Sequence, residues 1–200
     1  MGTMDKDRLC QTCKGSQVDC PGHFGHIKLI KPVYHGNLLD YVRKVIRCVC
    51  CECSHLLSDQ TGNEELQKEL DAKASLKSMK SRFNAVFRLT QTMKVCPVCK
   101  TSNHKYKKGP LRIDYDILDT TIIQKMTNKD PKQILWPEEA KDILDKITAK
   151  HLEMMGLSKV NADPANMIIE DLAVAPPPVR PSVAMTNSMR SEDDLTVAYK

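Results

Sequence analysis

Cysteine and histidine residues form a metal-ligand pattern near the start of the chain. Cys10 and Cys13 are separated by two residues, and the same separation recurs between Cys20 and His23. Two intervening residues place both donor atoms on one tight turn, where they can share an ion. Four thiolate or imidazole donors in two such pairs suit tetrahedral Zn²⁺. We therefore predict a zinc site at these four residues, with His26 as the alternative to His23.

A second site is predicted from a later Cys-x-x-Cys pair, Cys96 and Cys99, which needs two further ligands. A cysteine cluster upstream can supply them, and Ser54 directly after it provides the small residue that such a turn favours. The cluster contains two overlapping pairs of suitable spacing, which spacing alone does not separate: Cys48 with Cys51, and Cys50 with Cys53. Ser54 mildly favours the second pair.

The predicted sites are structural. Four protein ligands leave no open position for a catalytic water. Nine cysteines, an odd number, and no secretory signal pattern argue against a disulfide framework and for a reducing compartment. With 41% hydrophobic and only 4% aromatic residues, the chain has a thin core, so bound metal would contribute to folding. No apolar run approaches the roughly 18 residues that span a bilayer, so we expect a soluble protein.

A strongly basic stretch covers residues 72–113, which hold eleven Lys or Arg and no Asp or Glu, whereas the whole chain has a net charge of +5. Such a block attracts phosphate backbones or acidic proteins. The alternative is a solvated basic face. The candidate contact residues in this stretch are Lys73, Lys77, Lys80, Arg82, Lys105, Lys107 and Lys108.

Hydrophobic periodicity predicts an α+β fold with several helices, short strands and long loops. Helices are predicted after a cap at Asn37, within 64–93, from Pro137 onward, and from Thr148 to a left-handed Gly156. Strands or extended segments are predicted at 27–30 (ended by Pro32), 111–118 and 167–174, before a polyproline connector at 176–181.

Four segments are expected. Residues 1–55 carry the first zinc knuckle, a helix and half of the second site. Residues 56–113 form a basic helical insertion with the last knuckle. Residues 114–175 form a helical part, and residues 176–200 form a proline-rich connector.

Catalytic patterns are weak or absent. His151-Leu-Glu153 matches the His-x-Glu motif of zinc deaminases, but the Pro-Cys-x-x-Cys motif that should follow is missing downstream. Asp114, Asp116 and Asp119 are expected to face solvent rather than bind Mg²⁺, and Trp136 is expected to pack at a helix start.

Several motifs together resemble one known family. They are Gly2-Thr-Met-Asp-Lys6, the run from Cys10 to His26 with its Cys20-Pro-Gly-His23, Lys31-Pro-Val-Tyr-His35, the segment from Pro176 to Ser182, and Ser191-Glu-Asp-Asp-Leu-Thr196. They resemble the N-terminal clamp region of the largest subunit of multisubunit DNA-directed RNA polymerases. The likeness is strong at both ends and weak in 56–94 and 100–135. It favours the nuclear polymerase II, with archaeal or polymerase III enzymes second.

The resemblance implies two structural zinc ions. Their ligands would be Cys10, Cys13, Cys20 and His23, and then Cys50, Cys53, Cys96 and Cys99. It also implies a clamp that closes over template DNA and the RNA–DNA hybrid, docks initiation and elongation factors, and contacts other polymerase subunits, especially the second-largest.

The family's catalytic aspartate motif is absent from these residues, so we expect a fragment without nucleotidyltransferase activity by itself. Mg²⁺ would bind only in the full enzyme. The competing interpretation is a free-standing zinc-binding protein or nucleic-acid interaction module.

Overall fold

A computed structural model of the chain describes residues 1–4, 6–59, 72, 78–117, 132–184 and 190–200. The chain forms two compact units, one of residues 1–30 with 170–200 and one of residues 31–169. Helices and short antiparallel strands occur together, which confirms the predicted α+β class. The predicted division into four segments stays a prediction.

The larger unit is built on helix α1 (Leu39–Cys48). Its apolar residues recur at helical spacing, so one side of the helix can be buried completely. The buried members are Leu39, Val42, Val45, Ile46 and Cys48. Asn37, the predicted cap, is replaced by Leu38, which makes no side-chain capping bond.

Helix α2 (Met79–Thr90) packs on α1 through aromatic side chains. The rings of Tyr41 and Phe83 stack with centroids 4.8 Å apart, and Phe87 stacks on Phe83. Val86 is also buried. This helix confirms part of the helical prediction for 64–93, whereas residues 64–71 and 73–77 lie outside the described residues.

A three-stranded antiparallel sheet follows, formed by β2 (Lys105–Lys108), β3 (Ile113–Asp116) and β4 (Lys132–Leu135) in the order β2-β3-β4. Tyr106 and Ile113 are buried within it. Lys107 pairs with Asp116 at 2.6 Å, and Arg112 pairs with Asp114 at 3.0 Å. Acidic residues of β3 therefore neutralise part of the basic stretch.

Helices α3 (Pro137–Asp145) and α4 (Ala149–Met154) confirm the predicted start and stop signals. Pro137 is the first residue of α3, and the Glu139 carboxylate accepts a hydrogen bond from the Trp136 backbone N–H at 3.1 Å. The Thr148 hydroxyl caps α4 by accepting from the backbone N–H of His151. Trp136 itself is 59% exposed, because it lies before the helix and outside its apolar stripe.

Strands β1 (Gly25–Tyr34) and β5 (Ile168–Val174) form a two-stranded sheet. The expectation that Pro32 ends the first strand was wrong. Both strands of a two-stranded sheet are edges, and an edge strand tolerates a residue that has no N–H to donate. A 3₁₀ turn at Pro164–Met167 precedes β5.

The smaller unit ends with a 3₁₀ turn (Pro177–Val179), the antiparallel strands β6 (Val183–Ala184) and β7 (Arg190–Ser191), and helix α5 (Asp194–Ala198). Arg180 donates to the Ala175 carbonyl at 2.8 Å and to the Thr196 hydroxyl at 3.1 Å. Its guanidinium also lies over the Tyr199 ring. One side chain thus links the segment after β5 to the last helix.

Apolar burial is very unequal between the units. Among the described residues of the smaller unit, only Cys10, Cys20, Val174 and Pro176 are buried. The larger unit contains a continuous core that includes Leu39, Ile46, Leu144 and Leu152. No helix in the described part of the chain has both the length and the apolar character needed to cross a membrane.

Candidate metal centres

The first predicted ligand set lies together in the smaller unit. One donor atom from each of Cys10, Cys13, Cys20 and His23 lies within 4.8 Å of the others. The Cys20 sulfur and His23 Nε2 are 3.5 Å apart. Tetrahedral zinc with bonds of about 2.0–2.3 Å requires donor separations of this order. This cluster therefore has the composition and the dimensions of a closed metal site.

The second cluster lies in the larger unit and contains Cys50, Cys53, Cys96 and Cys99. Sulfur–sulfur distances are 3.4 Å for Cys50–Cys99 and 3.6 Å for Cys53–Cys96. Both far exceed the roughly 2.05 Å of a disulfide bond. Four sulfurs that face one another at these distances could hold one metal ion.

Three of the turns share one backbone geometry. In each turn, the backbone N–H of the first cysteine donates a hydrogen bond to the carbonyl of the residue five positions later. The carbonyl of that cysteine accepts a hydrogen bond from the N–H of the residue four positions later. The residue directly after the second cysteine adopts a left-handed conformation, with φ of 60° at Lys14, 54° at Ser54 and 61° at Lys100. This geometry starts at Cys10, Cys50 and Cys96.

The remaining two cysteines have other environments. Cys48 is fully buried in the core, donates to the Lys44 carbonyl at 3.2 Å and accepts from the Thr90 hydroxyl at 3.5 Å. Burial raises the pKa of its thiol to about 12. Cys51 is half-buried and belongs to neither cluster. The pair Cys48 and Cys51, left open by spacing, is therefore not assembled.

Hydrogen bonds favour the thiolate form at one cysteine of each cluster. The backbone N–H of Cys13 is the largest influence that lowers the pKa of Cys10, to about 5. The Thr101 side chain and backbone lower the pKa of Cys99 to about 6. Thiolates are the metal-binding form of cysteine, so these two residues offer charged ligands near neutral pH.

A third group was not recognised from the sequence. His55, Asp59 and His151 bring one ligand atom each to within 4.8 Å of one another. Asp59 and His151 are 3% and 5% exposed. Burial, and then the neighbouring His55, lower the pKa of His151. Because Asp59 and His151 are 92 positions apart, spacing offered no signal for this group.

The candidate nucleic-acid residues are placed unevenly. Lys80, Lys105, Lys107 and Lys108 are exposed, while Lys73 and Lys77 lie outside the described residues. Arg82 is half-buried and donates to the Glu153 carbonyl at 3.3 Å.

Sequence reasoning also missed a basic cavity of about 300 Å³ next to the second cysteine cluster. Its lining includes Arg47, Lys94, His104 and Lys105. Arg47 lies outside the basic stretch of residues 72–113, so its place beside Lys94 and Lys105 follows from the fold.

Together, the α+β fold and the two closed cysteine-rich clusters define a small domain of the kind that structural metal ions stabilise. The sequence profile of the family described as "RNA polymerase Rpb1, domain 1" matches residues 1–200. The chain therefore belongs to the RNA polymerase Rpb1 domain 1 family. This membership confirms the predicted resemblance to the N-terminal region of the largest polymerase subunit.

Two curated relatives illustrate the similarity. The chain is 35% identical over 209 aligned residues to "DNA-directed RNA polymerase II subunit RPB1" of Euplotoides octocarinatus, covering 100% of this chain and 43% of that protein. It is 30% identical over 197 residues to "DNA-directed RNA polymerase subunit Rpo1N" of Methanocaldococcus jannaschii, covering 98% of this chain and 14% of that protein. The chain thus spans less than half the length of these two relatives.

Proposed function

We propose that this chain is the zinc-stabilised clamp region of the largest subunit of a DNA-directed RNA polymerase. It would close over template DNA and the RNA–DNA hybrid during transcription and dock initiation and elongation factors. One observation carries the proposal: a member of the Rpb1 domain 1 family assembles two closed four-ligand clusters, one in each compact unit.

The two clusters would each hold one structural zinc ion. Every cluster supplies four protein donors, so no position remains for a catalytic water. Structural zinc sites contribute on the order of 10–16 kcal/mol of apparent binding free energy, comparable to a domain's entire stability. In the smaller unit, where few apolar side chains are buried, the ion would replace a hydrophobic core as the main stabilising element.

Metal analysis of the purified chain tests this assignment. After dialysis that removes weakly held ions, we expect two zinc ions per chain, and one in Cys96→Ser. Cys51→Ser is the matched control, because Cys51 lies beside the second cluster but outside it, and it should retain both ions. A Cys96→Ser protein that still binds two ions would contradict the second site.

The basic side chains around β2 would contact the phosphate backbone. Lys105, Lys107 and Lys108 are exposed on one strand, and Lys94 and Arg47 line the adjacent cavity. Backbone contacts of this kind release counterions, so affinity falls steeply as salt rises. Lys107 contributes less than its charge suggests, because Asp116 already pairs with it.

Binding to a DNA duplex at several salt concentrations tests this surface. Reversing Lys105, Lys107 and Lys108 to Glu should weaken binding strongly at low salt. The slope of log affinity against log salt concentration should become shallower by roughly 0.9 for each phosphate contact that is lost. The control reverses three exposed lysines elsewhere, Lys28, Lys31 and Lys146, with the same change in net charge. Equal losses in both variants would argue for a general charge effect and against this surface.

The partners would be the other polymerase subunits, especially the second-largest, in the nucleus. Several apolar side chains of the smaller unit are largely exposed, which fits a region covered by further protein: Leu9, Val18, Phe24 and Ile30. The nucleotidyltransferase activity and its Mg²⁺ would belong to the complete enzyme. We expect no nucleotide incorporation by the isolated chain.

A further inference from the structure

A histidine–aspartate cluster in the larger unit has no role in the two cysteine sites. His55 and Asp59 lie in the segment after the Cys50–Cys53 turn, and His151 lies on α4. His151 Nε2 is 3.2 Å from Asp59 Oδ2, and His55 Nε2 is 3.8 Å from the same oxygen. Two imidazole nitrogens thus converge on one buried carboxylate.

We propose that His55, Asp59 and His151 form a third metal site for a divalent first-row transition ion, zinc in the first instance. Two imidazoles and one carboxylate are a donor set that zinc uses where it keeps a fourth position open. The separations between the donor atoms, all within 4.8 Å, match those around one ion with bonds of about 2.0–2.2 Å.

Hydrogen bonds already link these groups, so an ion would compete with them for the same atoms. Asp59 Oδ2 accepts hydrogen bonds from His151 and Lys150 at 3.2 and 3.4 Å. His55 Nε2 lies 3.2 Å from the Asp59 backbone carbonyl oxygen and 3.8 Å from Oδ2. The two imidazole rings meet edge to face with centroids 4.5 Å apart. His151 Nδ1 is buried with no hydrogen-bond partner among the described residues, so groups at Nε2 alone orient that ring. A cation between the two Nε2 atoms and Oδ2 would take all three of these atoms as ligands.

Lys150 occupies the place next to the carboxylate when no ion is bound. Its side chain is 71% exposed, whereas that of Asp59 is 4% exposed, so the ammonium can turn to solvent while the carboxylate stays. An incoming dication would replace this single positive charge. Lys150 therefore competes with the metal and lowers its affinity.

The ion would connect two parts of the larger unit that are far apart in sequence. His55 follows the Cys50–Cys53 turn directly, and α4 lies about ninety positions later. The third site would fix the second cysteine cluster to α4. It adds to the two zinc ions of the proposed function and is counted separately from them.

Cobalt titration of the full chain, loaded with two zinc ions and checked by metal analysis, tests the proposal. We expect one further equivalent of Co²⁺ to bind, with ligand-field bands but no thiolate-to-cobalt charge transfer. Charge-transfer absorption would place the cobalt on cysteines and overturn the assignment. No binding beyond two ions would also overturn it. This measurement needs no variant, and the two-zinc count reports independently on the proposed function.

Variants then locate the site. His55→Gln and His151→Gln should retain two zinc ions and bind the third equivalent at least about tenfold more weakly. Glu153→Gln, which neutralises an exposed carboxylate on the same helix, should bind it like the wild type. Lys150→Gln should bind it up to about fivefold more tightly, with Lys146→Gln as the unaffected control. Wild-type affinity in both histidine variants would overturn the proposal.

Discussion

Single residues in left-handed conformations shape the cysteine turns. Lys14, Ser54 and Lys100 each follow the second cysteine of a turn with φ near +60°. A side chain in this conformation is disfavoured by about 1–2 kcal/mol, because Cβ approaches the carbonyl oxygen. The turn tolerates that cost because it directs both sulfurs to one point. Ser54 adds a second cost, since its hydroxyl is buried with no hydrogen-bond partner in the described part of the chain.

Replacing Ser54 by glycine should therefore stabilise the chain. Ser54→Gly removes both the strained Cβ and the unpaired hydroxyl, against the entropy that glycine adds to the unfolded chain. We expect the free energy of unfolding to rise by about 1 kcal/mol, measured by chemical denaturation in the presence of zinc. Ser54→Ala is the control: it removes the hydroxyl but keeps Cβ, so it should gain less. A glycine variant less stable than the alanine variant would contradict the argument.

Residue spacing anticipated the cysteine clusters because both donors of a pair lie on one local turn. Spacing did not decide whether Cys48 or Cys50 begins the ligand pair of the second cluster, since that choice depends on which of the two side chains enters the core. Cys48 ends α1 on its apolar side and enters the core, whereas Cys50 follows the helix and faces Cys99. The cluster of His55, Asp59 and His151 was beyond sequence reasoning, because tertiary packing alone brings its members together.

Helix signals were the most readable elements, since caps and apolar stripes are local. Pro137, Thr148 and Gly156 occupy the positions that their chemistry predicts. Strand limits were less predictable, because whether Pro32 interrupts a strand depends on how many neighbours the strand has.

Gly156 shows how the end of one helix fixes the position of another. Its φ is +76°, and its N–H donates to the Glu153 carbonyl at 2.9 Å to end α4. A Cβ at this position would lie 3.0 Å from the Met79 carbonyl oxygen and 3.3 Å from Arg82 Cβ, both at the start of α2. The absence of a side chain at Gly156 therefore permits both the left-handed turn and the close approach of α2.

Gly156→Ala should lower the free energy of unfolding by roughly 2 kcal/mol. The left-handed conformation contributes about 1–2 kcal/mol of that cost, and the contact with the Met79 backbone adds to it. Chemical denaturation with zinc present measures the change. Gly36→Ala is the control, because among the described residues its Cβ would meet only the flexible, exposed end of Leu111, at 3.3 Å. Equal stability of the two variants would refute this account of the helix end.

At the scale of the whole molecule, the two units depend on metal to different degrees. The larger unit has a continuous apolar core around α1, and its cysteine cluster packs with Leu57 as a separate small group. The smaller unit buries few apolar side chains in its described part and contains the other cysteine cluster. Metal loss should therefore be fatal to the smaller unit and only partly damaging to the larger.

Removing one ligand from each cluster tests this difference. Cys13→Ser should lose one zinc ion and the amide protection of residues 1–30, while α1 keeps its slow hydrogen exchange, because its apolar side lies in a core independent of that ion. Cys99→Ser, also a change at an exposed cysteine, should lose protection around 50–59 and 94–103 and leave residues 10–23 protected. Hydrogen exchange read by mass spectrometry, with zinc content measured on the same samples, distinguishes the two patterns. Loss of protection in α1 after Cys13→Ser would show that the first ion supports the whole chain, contrary to the unequal burial from which the prediction follows.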